Sequence, residues 1–170
     1  KIIIKKINSK SIKIGIVGLG FVGLPLAIHF AKKGFKVCGY DKDNKKIKKL
    51  KNKKPYISTI KKENIESFFK KNNTVTSNSK ELFQNDVIII CLPTPLKINS
   101  KIPDLSYIIN FIEKNKGKIK RGLVFSLEST VYPGFTELMC NKISKKNFEI
   151  GTDFFIVYSP EREDPGRTQH

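Results

Sequence analysis

One stretch constrains this chain more than any other. Residues 12–41 read IKIGIVGLGFVGLPLAIHFAKKGFKVCGYD. An apolar run, Ile12 to Val17, leads into Gly18-Leu19-Gly20-Phe21-Val22-Gly23, and a helical pattern follows. A second apolar run, Phe35 to Tyr40, ends in Asp41. Strand, glycine turn, helix, strand, acid is the order of a βαβ unit that binds a dinucleotide. A lone GxGxxG is often only a glycine-containing turn. Here every neighbouring element falls where the mechanism needs it.

The mechanism assigns each part. Gly18 permits the tight turn out of the strand, Gly20 lets a pyrophosphate approach the backbone, and Gly23 lets the helix pack closely on the strand. The helix N-terminus then offers N–H groups and a positive dipole end to the phosphates. Asp41 lies at the end of the second strand, where a carboxylate accepts hydrogen bonds from the adenosine ribose hydroxyls. It repels a 2′-phosphate, so NAD is favoured over NADP. Lys42 beside it weakens that preference slightly.

The rest of the chain keeps the alternation. Residues 43–53 and 60–71 read as helices, 73–77 as a short strand and 79–84 as a small helix. Asp86 to Leu92, DVIIICL, is a continuous apolar run of the kind buried on both faces of a sheet. Asp104 is expected to cap a helix in which Tyr107, Ile108, Phe111 and Ile112 recur at helical spacing. Gly122 to Leu127 is the next strand, Pro133 to Lys146 a helix with proline in its first turn, and Phe154 to Tyr158 a last strand. About six strands separated by helices predict an α/β fold, a doubly wound parallel sheet in the order 3-2-1-4-5-6. Residues 1–10, KIIIKKINSK, read as a basic, ragged extension, and 11–170 as the folded domain. The start at Lys1, without Met, is what processing or an incomplete reading frame would leave.

Composition narrows the function. The 170 residues are 39% hydrophobic, enough for a real core. No apolar run approaches a membrane span, and the N-terminal stretch lacks the apolar region and cleavage site of a secretory signal. Cys38, Cys91 and Cys140 form no CxxC pair, so neither a disulfide framework nor a zinc site is expected; a cytoplasmic location fits. Cys38 and Cys91 sit inside apolar runs and read as small buried side chains. His29 and His170 assemble no metal-ligand cluster. The net charge of +18 invites nucleic acid, but arginine occurs only at 121, 162 and 167. The lysines are spread along the chain beside many Asn and Ile residues. The run at 42–54 keeps Ile47 and Leu50 at helical spacing, as a solvated helix face would. Weak attraction to polyanions follows from this; specific nucleic-acid binding does not.

Ligands of such sheets bind beyond the carboxyl ends of the strands. Three segments there stand out: Pro93-Thr94-Pro95-Leu96, Glu128-Ser129-Thr130-Val131-Tyr132-Pro133-Gly134, and Ser159-Pro160-Glu161-Arg162-Glu163-Asp164-Pro165-Gly166. Each alone reads as a proline-bounded loop. Three on the edge that carries the glycine turn make a binding cleft the better explanation.

With these motifs in place, KIGIVGLGFVGLPLA, Asp41, CLPTPL, LESTVYPG and YSPEREDPG, the chain resembles the N-terminal domain of the UDP-glucose and GDP-mannose dehydrogenases. The likeness covers residues 12–166, and PTPL and SPEREDPG are most similar to the bacterial UDP-N-acetylglucosamine branch. It implies a UDP-sugar substrate, two NAD per sugar, and oxidation of the C6 alcohol to an aldehyde and then, through a cysteine thiohemiacetal and thioester, to a carboxylate. By this resemblance Gly18, Gly20, Phe21, Val22 and Gly23 hold the pyrophosphate, and Asp41 with Lys46 the adenosine ribose. Leu92, Pro93 and Thr94 line the dinucleotide groove, and Ser129 and Thr130 lie near the nicotinamide. Thr130 is similar to the family threonine that positions the reactive water, and Glu161 to the glutamate implicated in acid–base work through it. Desolvation of such a carboxylate raises its pKa towards neutrality. Glu161, Arg162, Glu163 and Asp164 belong to the substrate-contacting segment. Pro165 stands where the UDP-glucose branch often has a second glutamate, which again points to an N-acetyl sugar.

The resemblance puts the nucleophilic cysteine, a central dimerisation helix and a UDP-binding domain beyond the equivalent of residue 170. None of the three cysteines matches that nucleophile, so this chain by itself is expected to be inactive, and a full-length relative to be a homo-oligomer. The expectation is the NAD-binding domain of a UDP-N-acetylhexosamine 6-dehydrogenase supplying surface-polysaccharide precursors. The competing readings are a UDP-glucose or UDP-N-acetylmannosamine dehydrogenase, an NAD-binding module without turnover, and a basic nucleic-acid binder.

Overall fold

Strands and helices alternate as the hydrophobic periods require. The computed structural model describes residues 2–98, 100–144 and 148–160. In chain order the elements are α1 Ile2–Asn8, β1 Lys13–Val17, α2 Gly23–Lys32, β2 Lys36–Tyr40, α3 Asn44–Lys51, α4 Lys62–Lys70 and β3 Thr74–Thr76. There follow α5 Ser79–Leu82, β4 Val87–Ile90, α6 Ser106–Asn115, β5 Leu123–Leu127, α7 Phe135–Ile143 and β6 Phe154–Tyr158. The strands form one sheet in the order β3-β2-β1-β4-β5-β6, and every pairing is parallel.

Two apolar layers cover the sheet. Ile14, Ile16, Val37 and Ile89 pack with Leu24, Ala27 and Ile28 of α2, Leu50 of α3 and Phe68 of α4. Val17, Ile88, Ile90, Phe125 and Leu127 pack with Leu82, Ile108 and Ile112 of α5 and α6, and with Phe135 and Met139 of α7. Consecutive isoleucines of β4 enter opposite layers, as the two-residue period of a strand demands. The chain leaves β1 for β2 on one side and resumes at β4 on the other. That reversal opens a crevice at the carboxyl ends of β1 and β4.

Three local expectations change. The N-terminal stretch read as ragged is helical over Ile2–Asn8. Lys6 Nζ donates to Asp86 Oδ1 at 2.7 Å, and Ile3 packs against the first layer. The helix expected from Pro133 starts at Phe135. Gly134 is left-handed (φ 90°, ψ −6°) and Phe135 N–H donates to the Tyr132 carbonyl, so Pro133-Gly134 is the centre of a type II turn that precedes the helix. The helix ends at Ile143, short of the expected Lys146: Ser144 is extended (ψ 137°) and donates its N–H to the Cys140 carbonyl at 2.8 Å, while Lys146 itself lies outside the described residues. Asp104 does cap α6, from one position further out: its Oδ1 accepts the Ser106 N–H at 2.9 Å while Leu105 occupies the N-cap.

Candidate functional site

Gly18 leaves β1 at φ +89° and donates its N–H to the Tyr40 carbonyl at 2.8 Å, while Cys91 N–H donates to the Val17 carbonyl at 2.8 Å. The turn is thus stitched to both neighbouring strands. A methyl on Gly18 would lie 2.7 Å from the Cys91 carbonyl oxygen, and one on Gly23 only 1.8 Å from the Gly18 carbonyl oxygen. One on Gly20 would meet nothing within 4 Å. Gly18 and Gly23 are therefore required by packing, and the open face above Gly20 belongs to whatever binds there. α2 starts at Gly23 with no side chain capping it and no acid in its first turn, so its positive end faces this space.

Asp41 is 7% exposed at the end of β2, and its carboxylate is already engaged. Oδ2 accepts the Leu19 N–H at 3.0 Å and the Lys46 ammonium at 3.2 Å, and Oδ1 accepts the Asp43 N–H at 2.9 Å. The acid expected to hold a ribose also holds the glycine turn in shape. Tyr56, from the α3–α4 connection, donates its hydroxyl to the Leu19 carbonyl at 2.6 Å. Burial, with the charges of Asp41 and Asp43, pushes the Tyr56 phenol up, so it remains a donor.

Beyond β4 and β5 the groove continues. Ser129 is buried and donates its hydroxyl to the Leu92 carbonyl at 2.7 Å, tying together the two strand ends. Thr130 is exposed on the groove wall, and Glu128 accepts the Ser126 hydroxyl at 2.8 Å. One groove of about 900 Å³ is lined by Gly18, Gly20, Phe21, Val22, Asp41, Lys46, Leu92, Pro93, Thr94, Ser129 and Thr130. Gly23 lies beneath it, packed on Gly18. Glu161, Arg162, Glu163 and Asp164 fall outside the described residues.

The groove also has walls that pattern reading missed. Cys91, expected to be buried, is half-buried and lines it. Cys91 follows the last strand residue, where the two-sided cover of β4 ends. The face of α6 bearing Tyr107, Asn110 and Lys114 forms another wall. Tyr107 and Phe111 look like core at helical spacing, yet Tyr107 is 39% exposed. The polar residues at its i+3 and i+7 positions were the available signal. Tyr56 has no such signal, because its contact with Leu19 spans a long loop closure.

The groove suits a dinucleotide. Lys42, Lys46 and Lys114 outnumber Asp41 and Glu128 along it, which favours a diphosphate, and the gap over Gly20 admits one against the backbone. Among the described residues no cluster of His, Cys, Asp or Glu could hold a metal ion, and no helix is long and apolar enough to cross a membrane.

Known proteins share this arrangement. The model of the UDP-glucose/GDP-mannose dehydrogenase family, NAD binding domain, matches residues 12–170. Protein CapL of Staphylococcus aureus is 39% identical over 159 residues, covering 92% of this chain and 36% of the relative. The UDP-N-acetyl-D-glucosamine 6-dehydrogenase of Pseudomonas aeruginosa is 37% identical over 163 residues, covering 95% and 38%. Among solved structures, the UDP-N-acetyl-mannosamine dehydrogenase Cap5O from Staphylococcus aureus superposes with a TM-score of 0.82 at 31% identity, covering 91% of this chain and 38% of that one. The chain therefore spans little more than a third of the length of these relatives.

Proposed function

The chain belongs to the UDP-glucose/GDP-mannose dehydrogenase family and is an NAD-binding domain, and from that premise we propose that it serves a nucleotide-sugar 6-dehydrogenase acting on a UDP-N-acetylhexosamine. UDP-N-acetylglucosamine is the favoured substrate, oxidised at C6 to the uronic acid with two NAD, for surface-polysaccharide synthesis. The observation that carries the reading is the continuity of the groove. It joins the carboxyl ends of β2, β1, β4 and β5, so Asp41, Gly20, Thr94 and Thr130 share one trough.

Bound NAD supplies a hydride acceptor for the C6 carbinol. The glycine turn and the start of α2 bind the diphosphate, with Phe21 and Val22 at its edge. Asp41 and Lys46 orient the adenosine ribose. Leu92, Pro93 and Thr94 form the floor, and Ser129 fixes that floor by holding the Leu92 carbonyl. Thr130 presents its hydroxyl to a water beside the reacting carbon, and Glu161 exchanges the proton through that water. Arg162, Glu163 and Asp164 contact the sugar nucleotide.

Burial raises the pKa of both the Cys38 and Cys140 thiols, and Glu137 adds to the shift at Cys140, so neither is a ready thiolate at neutral pH. This argues against Cys38 and Cys140 as the nucleophile, and by the family resemblance the chain alone is proposed to give no sustained turnover. The full-length enzyme is proposed to be a cytoplasmic homo-oligomer. A second reading, oxidation of UDP-N-acetylmannosamine, draws on the Cap5O likeness and on a 36% identical dehydrogenase for that sugar from Pyrococcus horikoshii.

The test is steady-state kinetics on the full-length enzyme with UDP-N-acetylglucosamine, UDP-N-acetylmannosamine and UDP-glucose. The highest kcat/KM is expected for the first; a higher value for either rival overturns the assignment. Glu161→Gln is expected to lower kcat by about 10²–10⁴-fold with NAD affinity nearly unchanged. A wild-type kcat with a lowered melting temperature would make Glu161 a turn residue instead.

A further inference from the structure

We propose that Tyr107 helps set the preference for NAD over NADP by holding the ammonium of Lys42 on its ring, away from the ribose edge that Asp41 guards. Lys42 directly follows Asp41 and lines the same groove. A cation next to the ribose-binding acid is well placed to accommodate a 2′-phosphate. Left to itself, Lys42 would offset the repulsion on which the discrimination depends.

The geometry shows what restrains it. Lys42 Nζ stands 5.0 Å from the centroid of the Tyr107 ring, within the range at which a ring face attracts a cation. Both ends of this contact are anchored. On one side, Asp41 N–H donates to the Thr76 carbonyl at 3.2 Å and its carboxylate is fixed by three donors. On the other, buried Ile108 and Ile112 seat α6 in the second apolar layer, with Tyr107 in its first turn. The contact therefore spans the groove from the end of β2 to α6. Lys46 is differently placed: its ammonium pairs with Asp41 itself, so it is held at the acid. Of these two neighbouring lysines, one is held by the carboxylate and the other by an aromatic ring.

The inference rests on cofactor binding by the groove and needs no sugar, so nucleotide titration and the sugar kinetics above report on separate readings. The experiment titrates NAD and NADP into this chain and its Tyr107→Ala, Tyr107→Phe and Lys42→Met/Tyr107→Ala variants, each first shown to melt cooperatively. An exposed cation–π contact holds its partner by a factor of about two to five. Tyr107→Ala is accordingly expected to lower the ratio of the NADP to the NAD dissociation constant by about that factor. Tyr107→Phe keeps a ring face and should keep the wild-type ratio, and the double variant should return to it or exceed it. Equal weakening of both nucleotides by Tyr107→Ala would make the ring merely a wall of the pocket and overturn the proposal. So would a lowered ratio that persists in the double variant, because Lys42 would then not be the agent.

Discussion

The two halves of the groove are held in different ways. In the β1–α2–β2 half, backbone and one buried acid make the site. Gly18 and Gly23 touch, and Asp41 holds Leu19, Asp43 and Lys46. In the β4–β5 half, side chains on loops make it: Thr94 is half-buried, Thr130 stands exposed, and Ser129 reaches across to the Leu92 carbonyl. In the first half, Gly18, Gly23 and Asp41 cannot change without disturbing the fold. The second can change its chemistry while the sheet stays intact. Cofactor binding is thus built into the architecture, and the proposed chemistry is attached to it.

The largest break of this contrast comes from two glycines three residues apart. Gly23→Ala puts a methyl against the Gly18 carbonyl, so a loss of at least about 3 kcal/mol of stability is expected by denaturant titration. Gly20→Ala meets no protein atom. Its melting temperature should match wild type while NAD binding weakens by about 1–3 kcal/mol, measured calorimetrically. Unchanged NAD affinity in Gly20→Ala would remove the pyrophosphate from this turn.

Asp41→Ala should mix both effects, because the carboxylate that holds the turn is also the proposed ribose partner. Loss of a charged hydrogen-bonding partner should weaken NAD by about 1.5–3 kcal/mol and relax discrimination against NADP. The orphaned Leu19 N–H should cost about 1–3 kcal/mol of stability as well. A purely functional or purely structural effect would show that the two roles separate. In the other half, Ser129→Ala loses one neutral hydrogen bond, and a destabilisation of about 1 kcal/mol is expected with NAD affinity little altered.

The smallest effect lies away from the groove. Burial tends to raise the Asp86 pKa, but the Lys6 ion pair and the Lys13 N–H outweigh it and hold the carboxyl below the ordinary 3.8. A depressed folded pKa means that this contribution is present above 3.8 and is lost as pH falls through the lower folded value. Asp86→Asn should lower the melting temperature slightly at neutral pH and flatten the acid limb. An unchanged acid limb would show that the docking of α1 is indifferent to this pair.

The strands and the glycine turn were legible because apolar period and backbone demand leave their mark on composition: VIII could be little other than a buried strand. The type II turn at Pro133-Gly134 was equally present in the letters, but proline also suits a first helical turn, and only the positive φ of Gly134 decides between them. Helix α1 was hidden because its stability comes from partners distant in sequence, Lys6 on Asp86 and Ile3 on the core. In the groove, positions tied to the turn could be found by spacing. Tyr56 and the Tyr107–Asn110–Lys114 face could not, since their place depends on how a loop and a helix close over the sheet.

The hydrogen bond from Leu19 to Asp41 has a consequence for how a cofactor arrives. It joins the turn proposed to meet the diphosphate to the acid proposed to meet the ribose, so these two parts of the groove are ordered as one body. Little conformational entropy then remains to be lost in this half when a dinucleotide docks, and its affinity reflects contacts and desolvation more than the ordering of a loop.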